Sequence, residues 1–202
     1  VALGAGLDLP SAAEVANRAA GCAVARVGTS PVHWADLLDG LAAAPDEKLL
    51  DRPHLASVCA TLRRAHRKIV FTNGCFDLLH PGHVRLLTEA RKLGDVLVVG
   101  LNSDASVRRL KGEGRPILGE HDRAQVLGGL DAVDFVVVFD EGTPEALIGA
   151  VRPDVLVKGG DYTEATVVGA PFVRSYGGTV ALVPLVPGSS TSGVVARMKG
   201  ED

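Results

Sequence analysis

From residue 68 onward the chain alternates between two patterns. Unbroken apolar runs fall at residues 69–72, 96–101, 135–139, 155–157 and 180–185, each suited to one buried strand. Between them apolar residues recur along a single helical stripe. In residues 82–93, Leu86, Leu87, Ala90 and Leu93 share one face, and residues 120–130 carry a similar pattern. A strand without a polar face has to be covered on both sides. The alternation therefore predicts an α/β domain: a Rossmann-like, doubly wound parallel sheet with helices on both faces and ligands at the carboxyl ends of the strands.

Ahead of that domain the pattern weakens. Residues 54–67 read as a helix feeding the first strand. Residues 33–53 read as a linker, with a short helical stretch around Trp34 to Leu41 before Ala-Ala-Ala-Pro-Asp-Glu. Residues 1–32 form a short helical N-terminal extension. Ser11 and Glu14 make an S-x-x-E capping box, from which an Ala-rich helix should run toward Cys22. Its apolar stripe is small, so this helix needs a partner surface, either a second copy in a homodimer or a further domain. The expected division is 1–32, a linker at 33–53, and a main domain at 54–202.

Bulk properties narrow the classes of partner. The 202 residues allow one full domain and an appendage. A net charge of −3 offers no basis for nonspecific binding to nucleic acid or to an anionic membrane. No apolar run approaches the roughly 18 residues that span a bilayer, and the N-terminus lacks a signal-peptide pattern. Cys22, Cys59 and Cys75 are odd in number, widely spaced and without a CxxC pair. That spacing argues against a disulfide framework or a cysteine zinc site and suits a reducing cytoplasm.

Candidate chemistry gathers where strands end. His80-Pro81-Gly82-His83 follow the first apolar run and open the next helix. A helix start offers unpaired N–H groups and a partial positive charge, a natural seat for phosphate. Two imidazoles three positions apart can reach one anion there. Pro81 suits the first helical turn, and Gly82 lets a ligand approach the backbone closely. Thr72, Asn73, Gly74, Phe76 and Asp77 line the turn before the helix, Asp77 being suited to magnesium, a ribose hydroxyl or a helix cap. Asn102, Ser103 and Asp104 follow the second strand with residue types that favour an N-cap. Lys158, Gly159, Gly160 and Asp161 follow the fourth. Ser189, Ser190, Thr191 and Ser192 precede a helical pattern at 193–199, again suited to phosphate oxygens. Cys75 has no adjacent base and reads as structural.

At these residues a family resemblance emerges. IVFTNGCFDLLHPGH, residues 69–83, resembles the first signature of the HxGH nucleotidyltransferases, which include the cytidylyltransferases. VGLNSDASVRRLKGEGRPIL (99–118), PDVLVKGGDY (153–162) and PGSSTSGVVARM (187–198) look like the adenylyltransferase half of the bifunctional heptose kinase/heptose 1-phosphate adenylyltransferases. The resemblance implies adenylyl transfer from ATP to D-glycero-D-manno-heptose 1-phosphate, giving ADP-heptose and pyrophosphate. A sugar phosphate is largely dianionic near pH 7, its second pKa being about 6. It can attack the α-phosphorus in line without a catalytic base. The protein then has to supply alignment and charge stabilisation.

By resemblance His80, His83 and Lys111 serve the reacting phosphates. Thr72, Asn73, Gly74, Phe76, Asp77, Gly82, Lys158, Gly159, Asp161, Ser190, Thr191 and Ser192 would bind the nucleotide. Asn102, Asp104 and Arg123 would face the sugar phosphate, with Arg115 beside them. Mg2+ would accompany ATP, held mainly by the phosphates, with Asp77 as its candidate on the protein. Arg197 falls late for the arginine of the family's second signature. Residues 5–32 look like the last helical part of a ribokinase-type sugar kinase, without that family's glycine-rich catalytic motif. The resemblance thus points to a covalently linked kinase domain as a partner and to no kinase chemistry in these residues. Two other readings stay open: a cytidylyltransferase for glycerol or ethanolamine phosphate, and a nucleotide-binding module without turnover.

Overall fold

The structure, a computed structural model, describes residues 45–160, 163 and 166–184, together with residues 13, 16, 17, 19 and 20. The chain divides into two units, Val1–Ala43 and Ala44–Asp202. In the first, residues 13, 16, 17, 19 and 20 are helical. The rest of the helix expected from Ser11 to Cys22, and the stretch around Trp34 to Leu41, lie outside the described residues.

In the second unit five strands form one sheet: β1 (Ile69–Gly74), β2 (Val96–Asn102), β3 (Phe135–Phe139), β4 (Val155–Gly159) and β5 (Thr179–Val183). Every pairing is parallel and the order is β3-β2-β1-β4-β5. The helices are α1 (Arg52–Arg64), α2 (Pro81–Arg91), α3 (Asp104–Lys111), α4 (Glu120–Gly128), α5 (Glu145–Val151) and α6 (Ala170–Ser175). This is the Rossmann-like α/β architecture that the alternation of patterns predicts. On one face Val70, Leu97, Val99, Val136 and Val157 pack with Leu87 and Ala90 of α2 and with Ala124 and Leu127 of α4. α1 packs against α5 and also touches β1 and β3. β2 is buried along its whole length, which is why its run reads as continuously apolar.

Carboxylates tie down the amino ends of the strands. Asp95 accepts from the Lys68 N–H, Asp154 from Ile69 and Asp134 from Leu97, each at 2.7 Å. A strand N–H that would otherwise be left unpaired at the sheet margin is thereby satisfied, and the register is held.

Residues 45–53, expected as the end of a linker, are built into this unit. Pro45–Lys48 is a 3-10 turn and Leu49 bridges to Val136. Lys48 is 8% exposed and drives its ammonium onto the carbonyls of Val133 (2.9 Å) and Leu130 (3.3 Å). Asp51 then caps α1 by accepting from the His54 N–H at 2.8 Å. The helix begins at Arg52, two residues before the expected start.

The topology also points to a site. The chain runs from β1 through β2 to β3 on one side, then crosses back to β4 and β5 on the other. Ligands of such sheets bind where the order reverses, here between β1 and β4. β1 pairs with β2 from Ile69 to Gly74, but with β4 only from Val70 to Thr72. Beyond Thr72 the ladder to β4 stops, and at these carboxyl ends the topology calls for a ligand crevice.

Candidate active site

α2 starts at this crevice. Its N-cap is His80, with extended backbone and no side-chain cap bond, and Pro81 takes the first helical turn. Pro81 has no N–H, and those of His83 (2.9 Å) and Val84 (3.3 Å) donate to the His80 carbonyl, which leaves the Gly82 N–H to face outward at the positive end of the helix dipole. The rings of His80 and His83 stack, their centroids 3.7 Å apart at 22°. Phe76 packs 5.1 Å from the His83 ring, and its φ of 44° lies in the left-handed region. A bulky residue stays in that conformation only where its surroundings dictate it. Here the ring, 4% exposed, is locked beneath His83.

Polar atoms on these two elements lack partners. Thr72 Oγ1 and His80 Nδ1 are buried with no hydrogen bond, and His83 Nδ1 finds none of good geometry. Thr72 shares the sheet face of Val70, against which α2 packs. Buried polar groups are nearly always paired, and a ligand rich in acceptor oxygens at this helix start would complete them.

The electrostatics are set by burial. Burial pushes the His83 imidazole down to about 4, with His80 and Lys111 adding to the effect and the Leu78 backbone offsetting part of it. Burial and then Lys111 lower His80 as well. Both rings are neutral at pH 7, so they meet an arriving phosphate as hydrogen-bond donors rather than as preformed cations. Lys111 is the last residue of α3 and exposed.

Lys158 closes the crevice from the β4 side. Its ammonium donates to Asn73 Oδ1 at 2.6 Å and to the Asn73 carbonyl at 3.3 Å, joining β1 to β4 just past the end of their ladder. Burial pulls it down to about 8. At Gly159 an added Cβ would lie 3.0 Å from Leu86 Cδ1, so α2 packs tightly on β4 at this point and Leu86 would have to shift for a side chain there. Gly74 ends β1 and Gly82 lies in the first turn of α2. Thr72, Asn73, Gly74, Phe76, His80, Gly82, His83, Lys158 and Gly159 thus occupy the two strand ends and the helix start that frame one crevice. Asp161, Ser189, Ser190, Thr191, Ser192 and Arg197 lie outside the described residues.

Two expected ligands are instead spent on the protein itself. Asp77 is fully buried; its Oδ2 accepts from Arg115 Nη1 at 2.6 Å, and Oδ1 accepts the N–H groups of Ile117 (2.6 Å) and Leu118 (3.4 Å). Burial opposes its charge, yet those donors prevail and hold the carboxyl below the usual carboxylate range. With both oxygens engaged, Asp77 does not fit the role of a magnesium ligand. Among the described residues no group of three His, Cys, Asp or Glu side chains is placed to hold a metal.

Arg123 departs from expectation in the same way. It is 1% exposed, and its guanidinium donates to the carbonyls of Leu118 (2.9 Å), Cys75 (2.6 Å) and Asn102 (2.9 Å) and to Asp104 Oδ1 (2.6 Å). The guanidinium is sealed from solvent and four of its N–H groups are held by the protein itself. Asn102 and Asp104 belong to the same network rather than to an open substrate surface. Asn102 Nδ2 donates to Ser106 Oγ at 3.0 Å, and the Asp104 N–H reaches Glu120 Oε2 at 2.8 Å. Ser103 caps α3 and bonds Asp140, which also pairs with Arg109. Burial raises the Cys75 thiol, against the pull of Lys111, Arg123 and Lys158, which leaves it protonated at neutral pH. Sequence reading missed Leu118, Cys75 and Asn102 as partners of Arg123 because each acts through its backbone carbonyl, which no residue type advertises.

Comparison with known proteins agrees with this fold. Residues 71–191 match the family described as cytidylyltransferase-like. Bifunctional protein HldE from Pelobacter propionicus is 52% identical over 199 residues, covering 97% of this chain and 41% of that protein. The chain thus spans well under half the length of that curated relative. The crystal structure of the lipopolysaccharide core biosynthesis protein from Thermoplasma volcanium is 33% identical, with a TM-score of 0.50, over 59% of this chain and 97% of that one. Pantoate-beta-alanine ligase from Francisella tularensis, solved with an ATP analogue and beta-alanine, shares the fold at a TM-score of 0.53 and 16% identity, over 75% of this chain and 76% of that one. The motif at the start of α2, the parallel sheet that carries it and the match across more than half of the sequence lead to one conclusion: the chain belongs to the cytidylyltransferase-like family.

Proposed function

We propose that the protein transfers the adenylyl group of ATP to D-glycero-D-manno-heptose 1-phosphate, releasing pyrophosphate and ADP-heptose. The observation that supports this most is the start of α2, where two stacked, neutral histidines with unpartnered ring nitrogens sit at the reversal point of the sheet. The strong identity to a bifunctional HldE protein supports the choice of substrates.

An oxygen of the sugar phosphate attacks the α-phosphorus. The bond to the bridging oxygen on the pyrophosphate side breaks as the new one forms. The acceptor is already anionic, so no base is needed, and the protonated Cys75 thiol takes no covalent part. His80, His83 and the Gly82 N–H at the start of α2 hold the β- and γ-phosphates and receive the charge that develops there. The triphosphate raises the proton affinity of the rings, so they gain positive charge as the substrate arrives. Lys111 and Lys158 add ammonium groups from α3 and from β4. Asp161, Ser190, Thr191 and Ser192 complete the nucleotide side. ATP enters as its magnesium complex, the ion carried by its own phosphates.

Residues 1–32 are the end of a ribokinase-type segment, in a bifunctional protein that acts in the cytoplasm. Among the described residues no helix is long and apolar enough to cross a membrane. A pyrophosphate-release assay with magnesium tests the activity. Release is expected with ATP and the heptose 1-phosphate, and background alone with CTP and glycerol or ethanolamine phosphate. Faster release with CTP and an alcohol phosphate would assign the protein to that chemistry; none with any pair would defeat the transferase.

A further inference from the structure

The loop that joins α3 to α4 is not held by apolar packing. Ile117 and Leu118 are 48% and 36% exposed. Gly112 and Gly114 adopt φ values of 88° and 80°, and an added Cβ on either would meet nothing within 4 Å. A segment with so few packed side chains belongs to the easily opened parts of a fold.

Its anchors are buried and polar. Leu118 is gripped through both of its flanking peptides: its N–H reaches Asp77 Oδ1 at 3.4 Å, and its carbonyl accepts from Arg123 Nε at 2.9 Å. Asp77 also takes the Ile117 N–H and the Arg115 guanidinium, each at 2.6 Å. Arg123 reaches on to the carbonyls of Cys75, just past β1, and Asn102, the last residue of β2. Both side chains are sealed from solvent. Burying such charges carries a desolvation cost that apolar residues would avoid. What they deliver is geometry: one rigid guanidinium fork holds three backbone carbonyls at set separations. Asp77 precedes His80 by three residues, so the same carboxylate ties the loop to the turn that leads into α2.

We propose that Asp77 and Arg123 are positioning residues. They fix residues 112–118, and Arg115 with them, against the turn between β1 and α2, and so hold that turn in place for the reaction without touching substrate themselves. The kinetic side of this inference rests on the transferase reading; the structural side does not.

The test uses the full chain with D77N, R123K and the double variant. Hydrogen exchange at the Ile117 and Leu118 amides should quicken at least about tenfold in each single variant, with β2 amides unchanged. Equal protection in wild type and variants overturns the inference. In turnover with ATP and the sugar phosphate, kcat should fall about 30-fold or more in each, since small misplacements cost rate steeply, while the KM for ATP stays within about threefold. The double variant should fall no more than about threefold below the worse single one, because both groups anchor the same residue, Leu118. Multiplying losses, unchanged kcat, or ATP affinity lost in step with kcat would each overturn it. Wild type without turnover would sink the transferase reading alone and leave exchange to decide the anchor. Should circular dichroism show R123K unfolded, D77N decides on both readouts.

Discussion

His83 joins burial, stacking and helix geometry in one ring. Its burial keeps it neutral in the free protein, and its place in the first turn of α2 sets it at the positive end of that helix. His83→Ala should lower turnover by at least about 100-fold, as loss of a preorganised charge-stabilising donor does, while ATP still binds. Turnover within a few-fold of wild type would remove the imidazole from the reaction. These histidines are legible in sequence because the strand–helix alternation places His80-Pro81-Gly82-His83 at a helix start. Arg123 and Asp77 are not legible in that way. An arginine aimed at phosphate and one aimed at carbonyls look alike in sequence, and only the fold brings the Cys75, Asn102 and Leu118 carbonyls to it.

At the scale of elements, the site depends on how closely α2 approaches β4. Leu86 lies against Gly159, and an added Cβ there would sit 3.0 Å from its Cδ1, so Leu86 would have to give way for a side chain. Gly159→Val should therefore push α2 away, costing about 1–3 kcal/mol by overpacking in urea unfolding. Turnover should fall far more than stability alone accounts for, since the helix that moves carries both histidines. Unaltered kinetics would mean that the contact does not set the site. The strands were readable because a parallel sheet covered on both faces demands continuous apolar runs, as in β2. α5 and α6, at 7 and 6 residues, are too short to display a helical period. Residues 45–53 misled because Pro-Asp-Glu composition resembles a linker, whereas the Lys48 ammonium finds its carbonyls more than eighty positions away along the chain.

At the scale of the whole molecule, the same burial makes folding sensitive to acid. The His83 pKa falls from 6.5 to about 4 on folding. Above the unfolded value both states hold a neutral ring, and pH has no leverage through it. As pH falls through that window, the unfolded chain takes up a proton that the folded chain refuses, so stability declines toward pH 4. His80, shifted in the same direction, adds to the decline. Burial raises Asp134, which works the opposite way by favouring the folded state as that carboxyl protonates. The urea midpoint should drop between pH 7 and pH 5, and His83→Gln should flatten that drop. A wild-type profile that is level over this range would contradict the buried, neutral imidazole.

The most direct measurement is a crystal structure of the full chain with a non-hydrolysable ATP analogue. Phosphate oxygens should lie about 2.7–3.2 Å from ring nitrogens of His80 and His83 and from the Gly82 amide of α2, in the crevice between β1 and β4. A nucleotide seated elsewhere, or one with its phosphates turned away from α2, would contradict the account.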